Sequence, residues 1–232
     1  MAALRFDPGA KLAIGPVIDT GFYYDIQFSA EKTPSSNDLK TLEQSMRDLL
    51  REHLSFNRIE TTSQEARERF ADNPFKLELI DELEAAGETI SLYETGDPGS
   101  PARNAARIAA GGGSEISFTD LCRGGHVEHT GEIAPDSFAL TRIAGAYWRG
   151  DEKNPMLTRI YGVAFDTKEE LAAYFRLQEE AAKRDHRKLG KELDLFTFSE
   201  LVGPGLPLYT PKGTLLRELL SGFSEELQRA HG

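Results

Sequence analysis

The chain has 232 residues, 39% of them hydrophobic and 28% charged, which predicts a folded globular protein of one or two domains with room for a sizeable core. A formal net charge of −11 argues against an autonomous nucleic-acid binder, because neutralising phosphates requires clustered Lys and Arg. The single cysteine excludes an internal disulfide framework. The sequence shows neither an apolar run long enough to span a membrane nor a signal peptide, so we expect a cytoplasmic protein.

The N-terminal part of the chain predicts a hairpin followed by helices. The segments 12–18 and 22–28 flank a short Gly-containing turn, and the tyrosines after that turn either fill a half-buried sheet or line a pocket. Helical spacing and capping residues predict helices over 37–53, 63–70 and 74–86, with a strand over 56–61 between the first two. Lys76 lies in the first turn of the third helix, where the helix dipole disfavours a cation.

The middle of the chain predicts strands over 89–93, 116–121 and 156–165. Between the first two, residues 96–114 are rich in Gly, Pro, Ala and Arg, a composition typical of an exposed insertion. Small residues precede Tyr147, Trp148 and Arg149. These three either form the floor of a pocket that stacks on a base, or leave Trp148 as an ordinary core residue.

The C-terminal part changes in character after residue 166, where we place a domain boundary. One long helix is predicted over 168–192. Its later half contains the most basic run of the chain, residues 183–188, which is either a solvated face or an RNA-facing surface. Short extended segments then lead to an amphipathic helix over 212–230.

The motif Asp120-Leu121-Cys122-Arg123-Gly124-Gly125-His126 brings several reactive groups together in sequence. Its glycines allow a tight turn that directs the Cys122 thiol and the His126 imidazole towards one point. If the preceding segment is a strand, Asp120 and Cys122 share a face. This set of groups suits hydrolysis or metal binding, although a lone Cys-x3-His is more often a buried thiol near an unrelated histidine. A structural zinc site needs four ligands and the sequence offers no second pair, so we predict no metal.

Several motifs in the same order resemble bacterial-type threonyl-tRNA synthetases. They are Ile14-Gly15-Pro16-Val17-Ile18-Asp19-Thr20-Gly21-Phe22-Tyr23-Tyr24-Asp25, the motif from Asp120 to His126, Ala144 to Gly150, Arg184-Asp185-His186-Arg187-Lys188-Leu189-Gly190, and the ending from Pro204-Gly205-Leu206-Pro207 to Pro211-Lys212-Gly213. The resemblance covers nearly the whole chain apart from the insertion at 96–114.

The resemblance implies an α+β fold made of three parts. Residues 1–166 would form an editing domain of the threonyl/alanyl-tRNA synthetase type, an antiparallel sheet with packed helices, without its first helix. Residues 167–192 would be a linker helix. Residues 193–232 would be the truncated start of a class II catalytic core.

In that family, the editing domain hydrolyses serine that has been attached to threonine tRNA. The residues that the resemblance implicates in catalysis are Cys122, His126, Asp120, Lys76 and Tyr24. Of these, Cys122 and His126 would line the site, with Asp120 behind them. Lys76 would supply positive charge where the oxyanion forms, and the hydroxyl of Tyr24 would orient the substrate. Arg123, Trp148 and Arg149 are candidates for binding the 3' end of the tRNA.

Two departures from the family pattern qualify these expectations. Gly125 stands where the family usually has proline, which loosens the loop in the unfolded state. The family's site also includes a His-x3-His helix that we expect just upstream of Met1, so we expect impaired editing by this chain alone. ATP, magnesium and a catalytic zinc are expected only for the full-length enzyme, which the family implies is a homodimer.

Two alternatives from other functional classes remain at this stage. The same fold could serve as a non-catalytic tRNA-binding or interaction module. A cysteine hydrolase is the other alternative, with Cys122 as nucleophile, His126 as base and Asp120 as the residue that orients the base.

Overall fold

A computed structural model describes residues 1–96, 117–203 and 205–231, and the chain divides into two compact units, Met1–Leu171 and Ala172–Gly232. The predicted insertion, apart from Gly96, lies outside the described residues. The helices are α1 (Ala2–Phe6), α2 (Leu39–Arg51), α3 (Ser63–Arg69), α4 (Pro74–Ala85), α5 (Lys168–Lys183), α6 (His186–Glu192) and α7 (Pro211–His231). The strands are β1 (Lys11–Leu12), β2 (Val17–Ile18), β3 (Gly21–Gln27), β4 (Ser55–Glu60), β5 (Ser91–Gly96), β6 (Ser117–Leu121), β7 (Phe138–Tyr147), β8 (Met156–Ala164), β9 (Phe196–Thr197) and β10 (Leu208–Tyr209).

The first unit contains a five-stranded antiparallel sheet in the order β1-β3-β8-β7, with β2 also paired to β3. The second arm of the predicted hairpin is confirmed as β3, whereas its first arm is divided into β1 and β2. Pro16 lies in the interruption, and it has no N–H to donate to a strand ladder. Buried side chains of this sheet, including Ile26 and Ile160, pack with Leu42 of α2 in one core cluster.

A second, three-stranded antiparallel sheet in the same unit has the order β4-β5-β6. The predicted helices that flank these strands are confirmed as α3 and α4. Their side chains Ala66 and Ile80 form a core cluster with Ile90, and Leu121 of β6 packs against that cluster. One face of this small sheet is therefore covered by helices.

Helix α4 connects the cores of the two sheets. Its residue Phe75 packs with Trp148 and Leu157 next to the five-stranded sheet, while Ile80 belongs to the cluster under the three-stranded sheet. Asn73 caps the helix by accepting from the N–H of Phe75 at 3.2 Å, and its amide donates to the carbonyl of Leu12 at 2.8 Å. The first turn of α4 is thereby fixed relative to both sheets.

The prediction of one helix over 168–192 is wrong, because the chain forms α5 and then α6. Asp185 has a non-helical backbone (ψ 122°), and its carboxylate accepts from the N–H of Arg187 at 2.8 Å. An aspartate that caps a new helix in this way ends the preceding one. In the second unit, β9 and β10 pair antiparallel before α7 begins. Among the described residues, no helix has the length and apolar character needed to cross a membrane.

Candidate functional site

Asp120 of β6 is the centre of a hydrogen-bonded network that joins the two sheets of the first unit. Its Oδ2 accepts a hydrogen bond from the hydroxyl of Tyr24, on β3, at 2.6 Å. Its Oδ1 lies 2.6 Å from the ammonium of Lys76, on α4, and also accepts from the N–H of Leu121 at 2.8 Å. Both carboxylate oxygens of Asp120 are therefore engaged by groups of the fold.

Lys76 is buried, with only 4% of its side chain exposed. An unpaired ammonium in such a place is strongly disfavoured, so the carboxylate of Asp120 is what makes its burial possible. This pairing explains why a cation occupies the first turn of α4 against the helix dipole. The site thus contains a fixed positive charge that is shielded from bulk water.

Tyr24 is held on one side by the Asp120 carboxylate and on the other by the backbone at Gly15. A Cβ on Gly15 would lie 2.3 Å from a ring carbon of Tyr24, so only glycine leaves room for the ring there. Burial raises the pKa of Tyr24 well above its usual value, and the charges of Asp120 and Cys122 raise that pKa further. Tyr24 is therefore a neutral phenol that shares its surroundings with the Cys122 thiol.

The prediction that the segment from Cys122 to His126 brings the thiol and the imidazole towards one point is confirmed. The Sγ of Cys122 lies 3.7 Å from Nε2 of His126. Gly124 and Gly125 have φ values of +119° and +84°, in the region that favours glycine. A proline at position 125 would need a different backbone, because its ring fixes φ near about −65°. The loop of this chain therefore depends on its Gly-Gly pair.

Two aromatic rings contact the His126 imidazole. Phe56 stacks on the imidazole with ring centroids 5.0 Å apart, and Tyr93 lies against it at 4.2 Å. Although the residue as a whole is exposed, partial burial of the ring lowers the pKa of His126 from its ordinary value. At neutral pH, His126 is therefore a neutral imidazole, the form that can accept a proton.

The three residues predicted to bind tRNA lie outside this network. Arg123 is largely exposed and pairs with Glu88 at 2.8 Å. Trp148 is buried, and its indole N–H donates to Glu78 at 2.7 Å. Arg149 pairs with Glu78 at 3.1 Å and also contacts Glu82.

Of the two interpretations of Trp148, these contacts favour that of a core residue. Its indole is one of the buried groups of the cluster that also contains Phe75. The role of Arg123, Trp148 and Arg149 in tRNA binding stays a prediction.

The cysteine-hydrolase alternative requires Asp120 to orient His126, and the observed contacts do not provide this. The Asp120 oxygens bond to Tyr24, Lys76 and Leu121, whereas the described contacts of the His126 ring are with Cys122 and the two aromatic rings. In the described part of the chain, no group of three or more His, Cys, Asp or Glu side chains is arranged to hold a metal ion.

Sequence reasoning missed three residues that shape the site, namely Ser91, Tyr93 and Phe56. Ser91 accepts from the N–H of Cys122 through its carbonyl at 3.2 Å, and its hydroxyl donates to the Cys122 carbonyl at 2.6 Å. Tyr93 is paired with Asp120 across the β5–β6 ladder. The alternation of side chains along a strand shows which residues share a face, but it does not show which strands are neighbours. The sequence could therefore have identified these residues only if the strand pairing had been known.

Comparison with known proteins relates this site to one family. Residues 90–161, which include Asp120, Cys122 and His126, match the family described as the threonyl and alanyl tRNA synthetase second additional domain. The whole chain is 49% identical to a threonine–tRNA ligase from Rubrobacter xylanophilus, of which it covers 32%. It is 47% identical over 229 residues, or 98% of the chain, to the threonine–tRNA ligase of Thermus thermophilus, covering 32% of that protein. The chain spans about a third of the length of the curated relatives it matches.

Proposed function

Because the chain belongs to the threonyl-tRNA synthetase family, as a segment about a third as long as the enzymes it matches, we propose that its first unit hydrolyses serine attached to threonine tRNA. One observation carries the proposal. Asp120, which holds Lys76 and Tyr24, lies two residues before Cys122, whose thiol is 3.7 Å from His126.

The chemistry of the two amino acids explains why such an activity is needed. Serine and threonine share a hydroxyl, and serine is smaller by one methyl group. A methyl group provides only about 1–3 kcal/mol of discrimination, and a pocket sized for threonine cannot exclude a smaller molecule. A second site that admits serine and hydrolyses its ester removes the error.

The proposed reaction uses side chains of this chain. Neutral His126 accepts a proton from a water molecule, whose oxygen adds to the ester carbonyl carbon. The buried ammonium of Lys76 offsets the negative charge that develops on the carbonyl oxygen. The carbon–oxygen bond to the ribose then breaks and the ribose oxygen takes the proton from His126, which releases serine and tRNA with a free hydroxyl.

Tyr24 and Cys122 are assigned to the substrate side of the site. Since the Tyr24 hydroxyl donates its hydrogen bond to Asp120, its oxygen is left as an acceptor. An acceptor suits the ammonium or the hydroxyl of serine. The Cys122 thiol, 3.7 Å from His126, limits the space beside the imidazole.

The rest of the proposed enzyme lies beyond these steps. We propose that the full-length protein joins threonine to its tRNA in the cytoplasm as a homodimer, with ATP, magnesium and a catalytic zinc. In the residues that the structure describes, no cluster of three or more potential ligands would hold that zinc. None of the steps above depends on these groups.

The proposal is tested by deacylation assays on a protein extended upstream to include the expected His-x3-His helix. We expect hydrolysis of the serine ester of threonine tRNA and sparing of the threonine ester. Cys122→Ala or His126→Ala should abolish the activity without unfolding the protein. The 232-residue chain alone should be much slower, since misplacing reacting groups by about 1 Å can cost roughly 10²-fold in rate.

Two results would contradict the proposal. Equal hydrolysis of the serine and threonine esters would exclude a site that sorts by size. An extended protein that binds the tRNA but hydrolyses neither ester would favour the non-catalytic binding module.

The pH dependence provides a separate check on the role of His126. Because the pKa of His126 is lowered, the imidazole stays neutral to a lower pH than an exposed histidine would. We therefore expect the deacylation rate to fall only below the ordinary histidine pKa of about 6.5. A rate that already declines above pH 7 as the pH is lowered would contradict this assignment.

A further inference from the structure

Two aromatic rings hold His126, and the proposed reaction gives neither of them a chemical step. The ring of Phe56 lies within 17° of parallel to the imidazole, and Tyr93 is tilted by 44°. The register of β4 and β5 pairs Arg58 with Tyr93 and Phe56 with Thr95. Phe56 and Tyr93 are thus diagonal neighbours on one face of the sheet, close enough for both to touch a third ring.

The loop that carries His126 is fastened to the same strands at both of its ends. At its start, the N–H of Cys122 donates to the carbonyl of Ser91, the first residue of β5, at 3.2 Å. At its end, the N–H of Phe56 donates to the carbonyl of Glu128 at 3.1 Å. Because both ends are anchored, the loop has little freedom to carry His126 away from the two rings.

Tyr93 also supports the loop at a second point. A Cβ on Gly124 would lie 3.0 Å from the Tyr93 hydroxyl, so the backbone at Gly124 passes close over that side chain. Tyr93 is in addition the cross-strand partner of Asp120. It therefore contacts His126 from the position directly opposite Asp120 in the sheet.

We propose that Phe56 and Tyr93, the aromatic clamp, are positioning residues that hold the His126 imidazole with Nε2 towards the Cys122 thiol. This inference rests on the proposed function in one respect, namely that the imidazole held in this way accepts a proton from water. The hold on the ring is a property of the folded chain and is measurable without tRNA.

The clamp also determines the ionisation of the imidazole. The two rings displace water from its faces, which disfavours the charged form and agrees with the lowered pKa of His126. Among the described residues, the titratable side chains that contact the ring are the Cys122 thiol and the Tyr93 phenol. Arg58, opposite Tyr93 in the sheet, is paired with Glu60 at 2.8 Å.

The test is an NMR titration of the histidine ring protons in the 232-residue chain. The signal of His126 is assigned by its loss in His126→Gln. We expect Tyr93→Leu and Phe56→Leu each to raise the pKa of His126 towards that of an exposed histidine. Tyr93→Phe keeps the ring and should leave that pKa where it is. The ring-proton signal of His186, exposed on α6, serves as the reference signal in every variant.

An unchanged His126 titration in a folded Tyr93→Leu variant would overturn the proposal. A lowered pKa would also overturn it, because it would mean that the rings favour the imidazolium through cation–π attraction. Fluorescence of the single tryptophan, Trp148, checks that each variant is folded. If Tyr93→Leu does not fold, the titration of Phe56→Leu decides the test.

In the extended protein, Tyr93→Leu should raise the pH below which the deacylation rate falls, in line with the NMR titration. A protein that fails to hydrolyse the ester but shows the expected titration shifts would refute the proposed function and leave the clamp intact.

Discussion

Two ion pairs from the sequence motifs, one in each unit, differ sharply in their surroundings. The ammonium of Lys76 and the carboxylate of Asp120 are 2.6 Å apart, with side chains 4% and 14% exposed. Arg187 and Asp185 are 2.9 Å apart, with side chains 78% and 32% exposed. The separations are nearly equal, so the difference lies in the solvent around each pair.

The comparison explains why the buried pair belongs to the candidate site, whereas the exposed pair has the properties of an ordinary surface pair. In the buried pair, removing one partner leaves a charge away from water, whereas water and salt screen the exposed pair. The basic run over 183–188 is also balanced locally, because Lys183 and Arg184 pair with Glu180, and Lys188 with Glu192. These contacts favour a solvated face over an RNA-facing surface.

The largest expected effect is that of Lys76→Met. The variant leaves the Asp120 carboxylate without its ammonium partner, and breaking a buried pair destabilises a protein by about 3–5 kcal/mol. Since Asp120 keeps some access to water, we expect the lower end of that range. Urea unfolding followed by Trp148 fluorescence measures the free energy of unfolding of the first unit.

The control for Lys76→Met is the double variant with Asp120→Asn, which should recover much of the loss because it removes the unpaired charge. A loss below about 1 kcal/mol in Lys76→Met would mean that the pair behaves like an exposed one.

A smaller effect is expected for Tyr24→Phe. The variant removes a hydroxyl that donates to a charged carboxylate at 2.6 Å, and such a bond contributes about 1.5–3 kcal/mol. Tyr147→Phe is a matched control, because Tyr147 is 44% exposed and no described hydrogen bond involves its hydroxyl. Equal stabilities of the two variants in urea would show that the Asp120 network does not depend on Tyr24.

Arg149→Gln should weaken the fold still less. Its partners Glu78 and Glu82 are each about half exposed, and exposed pairs contribute roughly 0–1 kcal/mol. The indole of Trp148 keeps its own bond to Glu78. The same variant tests the predicted tRNA contact, since a loss of affinity for threonine tRNA without a loss of stability would support that role.

The smallest effect is expected for Asp185→Asn in the second unit. Asparagine caps a helix about as well as aspartate, so the variant removes the charge and keeps the cap. Because the pair with Arg187 is exposed, we expect no measurable change in the thermal unfolding of the chain. A clear destabilisation would show that the comparison between the two pairs is wrong.

The structure also shows which features of the fold and the site can be predicted from the sequence. The confirmed predictions, such as α4, β3 and the approach of Cys122 to His126, depend on periodicity, caps and glycines within a few residues of one another. The division of the 168–192 helix was missed because Asp185 can either continue a helix or cap the next one. The geometry of Trp148 was left open, because a tryptophan beside small residues occurs both in cores and in pockets.

The sequence by itself determined helices such as α3 and α4, strands such as β3 and β8, the approach of Cys122 to His126, and the resemblance that pointed to an editing domain. Only the tertiary structure brought Tyr24 and Lys76 to Asp120, from 96 and 44 residues away along the chain. It also placed both Phe56 and Tyr93 against the ring of His126. Strand pairing and the burial of a charge depend on contacts between distant segments. Local sequence patterns do not show which of these segments are in contact.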